Sequence, residues 1–161
     1  MLYLVLKVLH VLGAVLFLGT GLGSAWYLLR ADASGDLRTM EWVHREIVLA
    51  DWVFTVPSGV LLPVTGLWMA VHAGMPVMGT PWIAWGLTGY VIAGACWVPA
   101  AVLQIRMARL VEAALAAGET RRDELPASFE RMRRWWLGLG VPAFLAAAAV
   151  VWMMVSKRAL L

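Results

Sequence analysis

Charged side chains are confined to two segments of this sequence, and this segregation constrains the fold more than any other feature. All ten acidic residues and ten of the eleven arginines lie in Arg30–Asp51 and Arg106–Arg134. Elsewhere only Lys7, Lys157 and Arg158 carry a formal charge. Soluble domains spread charge over their whole surface, whereas a chain that crosses a bilayer concentrates charge in its loops. The pattern therefore predicts an integral membrane protein.

Four apolar stretches are long enough to cross a bilayer as helices, since a hydrocarbon core about 30 Å thick requires about 20 apolar residues. They cover about residues 2–29, 52–71, 81–105 and 135–156. The stretches are continuous rather than alternating, which favours helices over strands. The first is far longer than the apolar region of a signal peptide, so we expect it to stay as a span. We expect one all-α domain over residues 1–161, a bundle of four transmembrane helices with amphipathic extensions.

The charged segments also have helical patterns. Leu37–Ala50 places apolar residues on one face and charged residues mostly elsewhere, which predicts an amphipathic helix that leads into the second span, with Asp36 as its N-cap. Arg106–Ala117 is expected to extend the third helix until Gly118 ends it. Pro126 suits the approach to the first turn of the fourth helix.

The arginine distribution predicts the orientation. Three arginines in the first charged segment and seven in the second outweigh Lys157 and Arg158. The positive-inside bias then puts both charged segments in the cytoplasm and both termini outside a bacterial-type inner membrane. The pI near 9.5 is explained by these loops beside anionic lipid, so we expect a bilayer and no nucleic acid as the partner.

Tryptophans and small residues predict how the helices sit and pack. Indole rings prefer the headgroup level, and these tryptophans fall near the ends of the spans: Trp26, Trp52, Trp68, Trp82, Trp85, Trp135, Trp136 and Trp152. Small residues let helices approach closely, and they recur at Gly13, Gly19, Gly23, Gly86, Gly89, Ala93 and Ala146–Ala149. Packing within the bundle is the main interpretation, with a homodimer or a larger membrane complex as the alternative. Kinks with freed carbonyls are predicted at Pro57, Pro63, Pro99 and Pro142.

Ionisable residues inside a span are candidates for function because they are costly there. Lys7 and His10 are three residues apart and therefore share one face of the first helix. His10 lies about 12 Å along the helix from its outer end, too deep for an imidazole to reach the interface. Asp51 and Arg106 lie together at the inner boundary, where we expect them to pair as a structural anchor.

His10 needs a polar partner or a ligand. Equal depths along the other helices offer hydrogen bonds from Thr65, Thr88 or Tyr90, which would satisfy it without a cofactor. The functional alternative is axial ligation of haem b or binding of a porphyrin or a soft metal, with Lys7 paired to a propionate. A second histidine at this depth is not found, since His72 lies about 10 Å higher and His44 is interpreted as a solvated interfacial residue.

The stretch from Lys7 to His10, followed by Gly19, resembles the first helix of HemJ-like protoporphyrinogen oxidases and of CopD-like copper-resistance proteins. Asp51, Pro57 and Thr65-Gly66 make the whole chain more similar to a family of small four-helix bacterial membrane proteins of unknown function. The HemJ-like resemblance implies that Lys7 and His10 are cofactor residues. The later membrane lysine of that pattern is missing, since the only other lysine is Lys157.

Three functions are consistent with the sequence. The first is a haem- or porphyrin-binding membrane protein that uses His10, with a role in electron transfer. The second is a protein for transport of copper or a small solute, although the spans from 52 to 105 and from 135 to 156 contain no carboxylate for proton coupling. The third is a structural accessory subunit of a membrane complex. A single cysteine, Cys96, excludes chemistry that needs paired thiols.

Overall fold

The computed structural model describes residues 1–158, so the last three residues of the predicted domain lie outside the described range. Within that range the chain is helical and contains no β-sheet. The helices are α1 (Leu2–Ser34), α2 (Leu37–Ala50), α3 (Val56–His72), α4 (Pro81–Ala116) and α5 (Ala127–Ser156). A π-helical turn, Asp51–Thr55, joins α2 to α3 without a break, and a 3-10 turn, Arg122–Glu124, precedes α5.

Four helical rods result: α1, the continuous α2–α3 rod, α4 and α5. Each is long and apolar enough to span a membrane, which confirms the predicted all-α membrane fold. The bundle has two distinguishable ends. We call the end that holds residues 30–51 and 106–134 the charged end. The terminal end holds the first residues of α1, the last residues of α5 and the short connection 73–80.

The helix ends largely follow the sequence signals. The Asp36 carboxylate accepts hydrogen bonds from the Thr39 amide at 2.9 Å and the Thr39 hydroxyl at 2.6 Å, which confirms the N-cap of α2. These two bonds lower the pKa of Asp36. Gly118, at φ 90°, follows the end of α4 as predicted. The first helix does not end at Leu29, because it continues with buried residues to Ser34 and stops at Gly35, where φ is 73°.

The bundle consists of two antiparallel helix pairs joined at the charged end. Helix α1 packs against α3, helix α4 packs along α5, and α2 contacts both α1 and α4. The main buried core lies at the charged end, where these elements meet. Its members are Leu28, Ala31, Leu37, Met40, Ile47, Ala100, Met107, Val111, Ala114, Phe129 and Trp136. The amphipathic helix α2 therefore serves as the connector between the two pairs.

Glycines set the separation of the paired helices at some of the predicted positions. A Cβ on Gly89 would lie 2.8 Å from Cγ2 of Val150, and a Cβ on Gly86 would collide with Met154. On the other pair, Gly13 faces Leu61 and Leu62 of α3. Gly19 and Gly23 differ, because a Cβ there would meet no atom within 4 Å. Packing of the GxxxG pair inside the bundle is therefore not found, and dimerisation stays a prediction.

One of the carbonyls freed by proline receives a donor from another helix. Pro63 has no N–H, so it cannot donate to the carbonyl of Gly59, four residues before it. The Tyr90 hydroxyl of α4 donates to that carbonyl at 2.5 Å. This bond also links the two helix pairs within the membrane-spanning region. The π turn ends two residues before Pro57, whose missing N–H leaves the Val53 carbonyl, inside that turn, without its usual α-helical donor.

The Gly89→Leu variant tests the close packing of α4 on α5. We expect the larger side chain to push Val150 away and to lower the free energy of unfolding by about 1–3 kcal/mol, as overpacking does in cores. The matched control is Gly94→Leu on the same helix, where a Cβ would meet no atom within 4 Å. SDS titration of both purified variants measures the difference. Equal losses in the two variants would contradict the packing.

Candidate functional site

The imidazole of His10 lies between α1 and α3 and contacts one of its three predicted partners. Its Nδ1 atom is 2.9 Å from the Thr65 hydroxyl oxygen. The same hydroxyl lies 2.7 Å from the Leu61 carbonyl oxygen, and with its proton in that bond it can accept a hydrogen bond from Nδ1–H. A neutral imidazole that carries its proton on Nδ1 keeps a lone pair on Nε2. The contact with Thr65 is compatible with the tautomer in which the Nε2 lone pair is open to a ligand.

Gly66 makes room for the imidazole ring. A Cβ at this position would lie 3.0 Å from Cε1 of His10 and 3.5 Å from Nδ1. The first of these distances is shorter than most Cβ contacts in proteins, so the ring would have to move by a few tenths of an ångström. The Thr65-Gly66 pair thus supplies both the hydrogen-bond acceptor and the space beside His10. The sequence contains this pair, but only the fold shows that its two members act on the same ring.

Two lysines lie at the terminal end near His10. Lys7 precedes His10 by one turn of α1, and Lys157 follows the last residue of α5. The Lys157 ammonium is 3.8 Å from the centroid of the Trp82 ring, a cation–π contact at the start of α4. Burial and the positive charge of Lys7 lower the pKa of Lys157. The fold therefore brings the second lysine, distant in sequence, to the end of the bundle that holds Lys7.

Tyr90 and Thr88, the other two predicted partners of His10, are engaged elsewhere. Tyr90 donates to the Gly59 carbonyl, and the Thr88 hydroxyl donates to the Ala84 carbonyl of its own helix at 3.0 Å. Of the three alternatives that equal depth offered, the structure thus contains the Thr65 contact, because depth does not fix the direction in which a helical residue points. Among residues 1–158 no group of three or more His, Cys, Asp or Glu side chains could hold a metal ion.

A second polar cluster is centred on Asp51 in the π turn. The Asp51 carboxylate accepts a hydrogen bond from the Thr55 hydroxyl at 2.7 Å and from the Gln104 side-chain amide at 2.8 Å. The Gln104 carbonyl oxygen accepts from the Trp136 indole N–H at 3.2 Å. This Asp51 network joins the α2–α3 rod to α4 and α5. The prediction that Asp51 pairs with Arg106 was wrong, since Arg106 is exposed and Gln104 occupies the inward position.

Trp136 also departs from its predicted role. The sequence placed it with its neighbour Trp135 in the aromatic belt at the inner ends of the spans. Trp135 is exposed, as a belt residue should be, whereas Trp136 is buried and part of the core. A buried indole needs an acceptor for its N–H, and Gln104 supplies it.

A third cluster is a buried pair of Asp32 and His44. Asp32 on α1 is 2% exposed and His44 on α2 is 0% exposed. Their Oδ1 and Nε2 atoms are 3.1 Å apart, and the ring of His44 lies 6.0 Å from that of Phe129. The interpretation of His44 as solvated was wrong, because it follows Leu37 and Met40 at helical spacing and shares their buried face.

Each member of this pair keeps one buried atom without a hydrogen-bond partner. These atoms are Oδ2 of Asp32 and Nδ1 of His44. Separation of the two side chains would leave both of them buried without a hydrogen bond, which costs free energy. The pair therefore favours the one arrangement of α1 and α2 in which the two residues meet. The link fixes the end of α1 against α2. The signal that could have identified it is the buried face of α2 itself, on which His44 follows Leu37 by seven residues.

The sequence pattern of one protein family matches residues 4–158, almost the whole chain. The chain belongs to this family, which is described as predicted integral membrane protein (DUF2269). No curated protein and no solved structure matches the chain. The family places the protein in a membrane, in agreement with its four apolar helices. The likeness of the first helix to HemJ-like and CopD-like proteins stays a prediction.

A double-mutant cycle tests the Asp32–His44 link. We expect Asp32→Leu and His44→Leu each to lower the free energy of unfolding by about 1–3 kcal/mol, because each leaves the other partner buried and unpaired. The double variant should lose less than the sum, with a coupling of about 0.5–3 kcal/mol. SDS titration measures all four proteins. The control cycle uses the exposed neighbours, Ala33→Leu and Arg45→Leu, and additivity in both cycles would contradict the link.

Proposed function

We propose that this member of the family binds haem b or a related porphyrin, with His10 as an axial ligand. One observation carries the proposal: Nδ1 of His10 lies 2.9 Å from the Thr65 hydroxyl, and donation of Nδ1–H to that oxygen would leave the Nε2 lone pair for a metal. Metal-bound histidines commonly donate their other N–H to an oxygen acceptor, which fixes the ring and raises its basicity. The His10 ring, partly buried beside Gly66, already has such an oxygen acceptor next to its Nδ1 atom in the absence of a ligand.

The charges at the terminal end suit a porphyrin that carries carboxylates. Lys7 lies one turn from His10, and Lys157 lies at the same end of the bundle. No aspartate or glutamate occurs before residue 32 or after residue 130, so no acidic side chain from α1's first half or α5's second half is present to neutralise the lysines. Two propionates would supply that charge. An apolar helix surface with aromatic rings suits the macrocycle itself.

The iron of a bound haem would supply one-electron chemistry, and the protein would tune it through the ligand and its surroundings. The residues of the chain would orient the imidazole and hold the ligand in place. Thr65 holds His10 in one tautomer, Gly66 leaves room for the ring, and the lysines bind the acidic edge of the ligand. Electron transfer in the membrane is the activity that this arrangement favours.

An absorption spectrum tests the haem proposal. We expect the protein purified in detergent from haem-replete cells to show a Soret band, and His10→Ala to lose it while keeping its helical circular dichroism. Thr65→Val should lower haem affinity about 10- to 100-fold, since it removes the acceptor that orients the ligand. The matched control is His72→Ala, which should keep the band. A colourless wild-type protein, or a His10→Ala variant with an unchanged spectrum, would overturn the proposal.

We also propose an orientation, with the charged end in the cytoplasm and the terminal end outside a bacterial inner membrane. The support is the excess of arginine in the two charged segments. The lysines and His10 would then lie in the outer half of the bilayer. A ligand would reach them from the outer side.

Reporter fusions test the orientation. Alkaline phosphatase fused to the C-terminus should be active and green fluorescent protein should be dark, because the first requires export and the second requires the cytoplasm. Fusions after Gly118, between α4 and α5, are the matched control and should give the reverse pattern. A fluorescent C-terminal fusion would contradict the orientation and leave the haem proposal unaffected.

A further inference from the structure

We propose that the exposed face of α5 at the charged end is a binding site for an anionic phospholipid. The site consists of Arg131, Arg134, Trp135 and Gly138, which together line a shallow surface cleft. We call it the α5 lipid cleft. It lies at the opposite end of the molecule from His10, so it is independent of the proposed haem site.

The ion pairs of this region leave two arginines for a ligand. Glu130 binds both Arg122 and Arg133, and these contacts fix the turn before α5 to the first turns of that helix. Arg131 and Arg134 form no ion pair among residues 1–158. No acidic side chain lines the cleft. The fold therefore uses some of its arginines internally and presents these two, on one exposed face, to an external anion.

The spacing of the four residues matches the outline of a lipid at the interface. Positions 131, 134, 135 and 138 follow each other at intervals of three, one and three, which places them on one side of a helix. The arginines come first along α5, and the 64% exposed ring of Trp135 comes next. Tryptophan at this depth occupies the headgroup region. Guanidinium groups just outside it are placed to bind a phosphate.

Gly138 forms a notch on the membrane side of the two arginines. A Cβ there would meet no atom within 4 Å, so the notch is open to the surroundings. The Gly138 carbonyl also lacks its usual helical hydrogen bond, because the residue four positions later, Pro142, has no backbone N–H. No side chain among residues 1–158 donates to this carbonyl, in contrast to the Gly59 carbonyl, which Tyr90 satisfies.

Beyond the notch the same face becomes apolar. Val141 and Leu145 continue the three- to four-residue spacing, and both are exposed, Leu145 to 61%. Along one line, the face thus offers two cations, an interfacial indole, an open notch and an aliphatic surface. A phosphate, a glycerol backbone and acyl chains follow each other in the same order. Inorganic phosphate would use only the first element, which is why we assign the cleft to a lipid.

Native mass spectrometry of the detergent-solubilised protein tests the proposal. We expect phosphatidylglycerol to bind at least tenfold more tightly than phosphatidylcholine, which has no net charge. Arg131→Gln with Arg134→Gln should weaken phosphatidylglycerol binding about 10- to 30-fold, since each cation near an anionic lipid contributes about fivefold. Gly138→Leu should fill the notch and weaken binding severalfold without any change in charge.

The control variant, Arg38→Gln with Arg121→Gln, removes two exposed arginines from the same end but outside the cleft. It should change phosphatidylglycerol affinity by less than about twofold, as expected for surface charges that do not touch the lipid. Inorganic phosphate alone should not displace the lipid. Equal binding of the two lipids, an equal loss in the control variant, or displacement by phosphate would each overturn the proposal.

Discussion

The Asp51 network is the interaction on which the arrangement of the bundle depends. A carboxylate at the boundary of an apolar region is costly unless hydrogen bonds compensate its lost hydration. Here one donor comes from its own rod, through Thr55, and the other from α4, through Gln104. Trp136 of α5 completes the set through its bond to Gln104. These hydrogen bonds fix three of the four rods relative to one another. Helix α1 is attached to them through its contacts with α2 and α3.

The two ends of the bundle differ because of this arrangement. At the charged end, α2 fills the space between the helix pairs, and the core and the Asp32–His44 link are enclosed by it. At the terminal end His10 and Thr65 form a partly buried polar contact within a single helix pair. The charged end therefore carries the interactions that hold the fold together. At the terminal end Lys7 forms no ion pair among residues 1–158, and Lys157 contacts the Trp82 ring.

The sequence predicted the features that depend on charge, hydropathy and local capping. The four spans, the N-cap at Asp36 and the stop at Gly118 each follow from a few neighbouring residues, and the structure confirms them. Depth along a helix was also predictable, and it identified Thr65 as a partner of His10. Angular position was not, because it depends on which helix lies opposite. For that reason Arg106 and His44 were assigned to the wrong surroundings, and the choice among Thr65, Thr88 and Tyr90 was left open.

Gln104 was missed for a different reason. It carries no charge, so it is not among the ionisable residues that the sequence places inside the spans. Its side-chain amide donates to Asp51 and accepts from Trp136, and in this way it connects the two. Asp32 was missed because the first helix was expected to end before it.

The π turn has a consequence for the two side-chain contacts that the α2–α3 rod makes with α1. A π turn accommodates about one extra residue, and one residue corresponds to about 100° of rotation about a helix axis. The rod therefore changes its angular phase at Asp51–Thr55. Before the turn, the rod directs His44 toward Asp32 of α1 and the core. After the turn, the rod directs Thr65 toward His10. Asp32 and His10 both belong to α1, near its end and near its beginning respectively. The turn that carries Asp51 lies between these two contacts, so a change in its length would rotate one of them relative to the other.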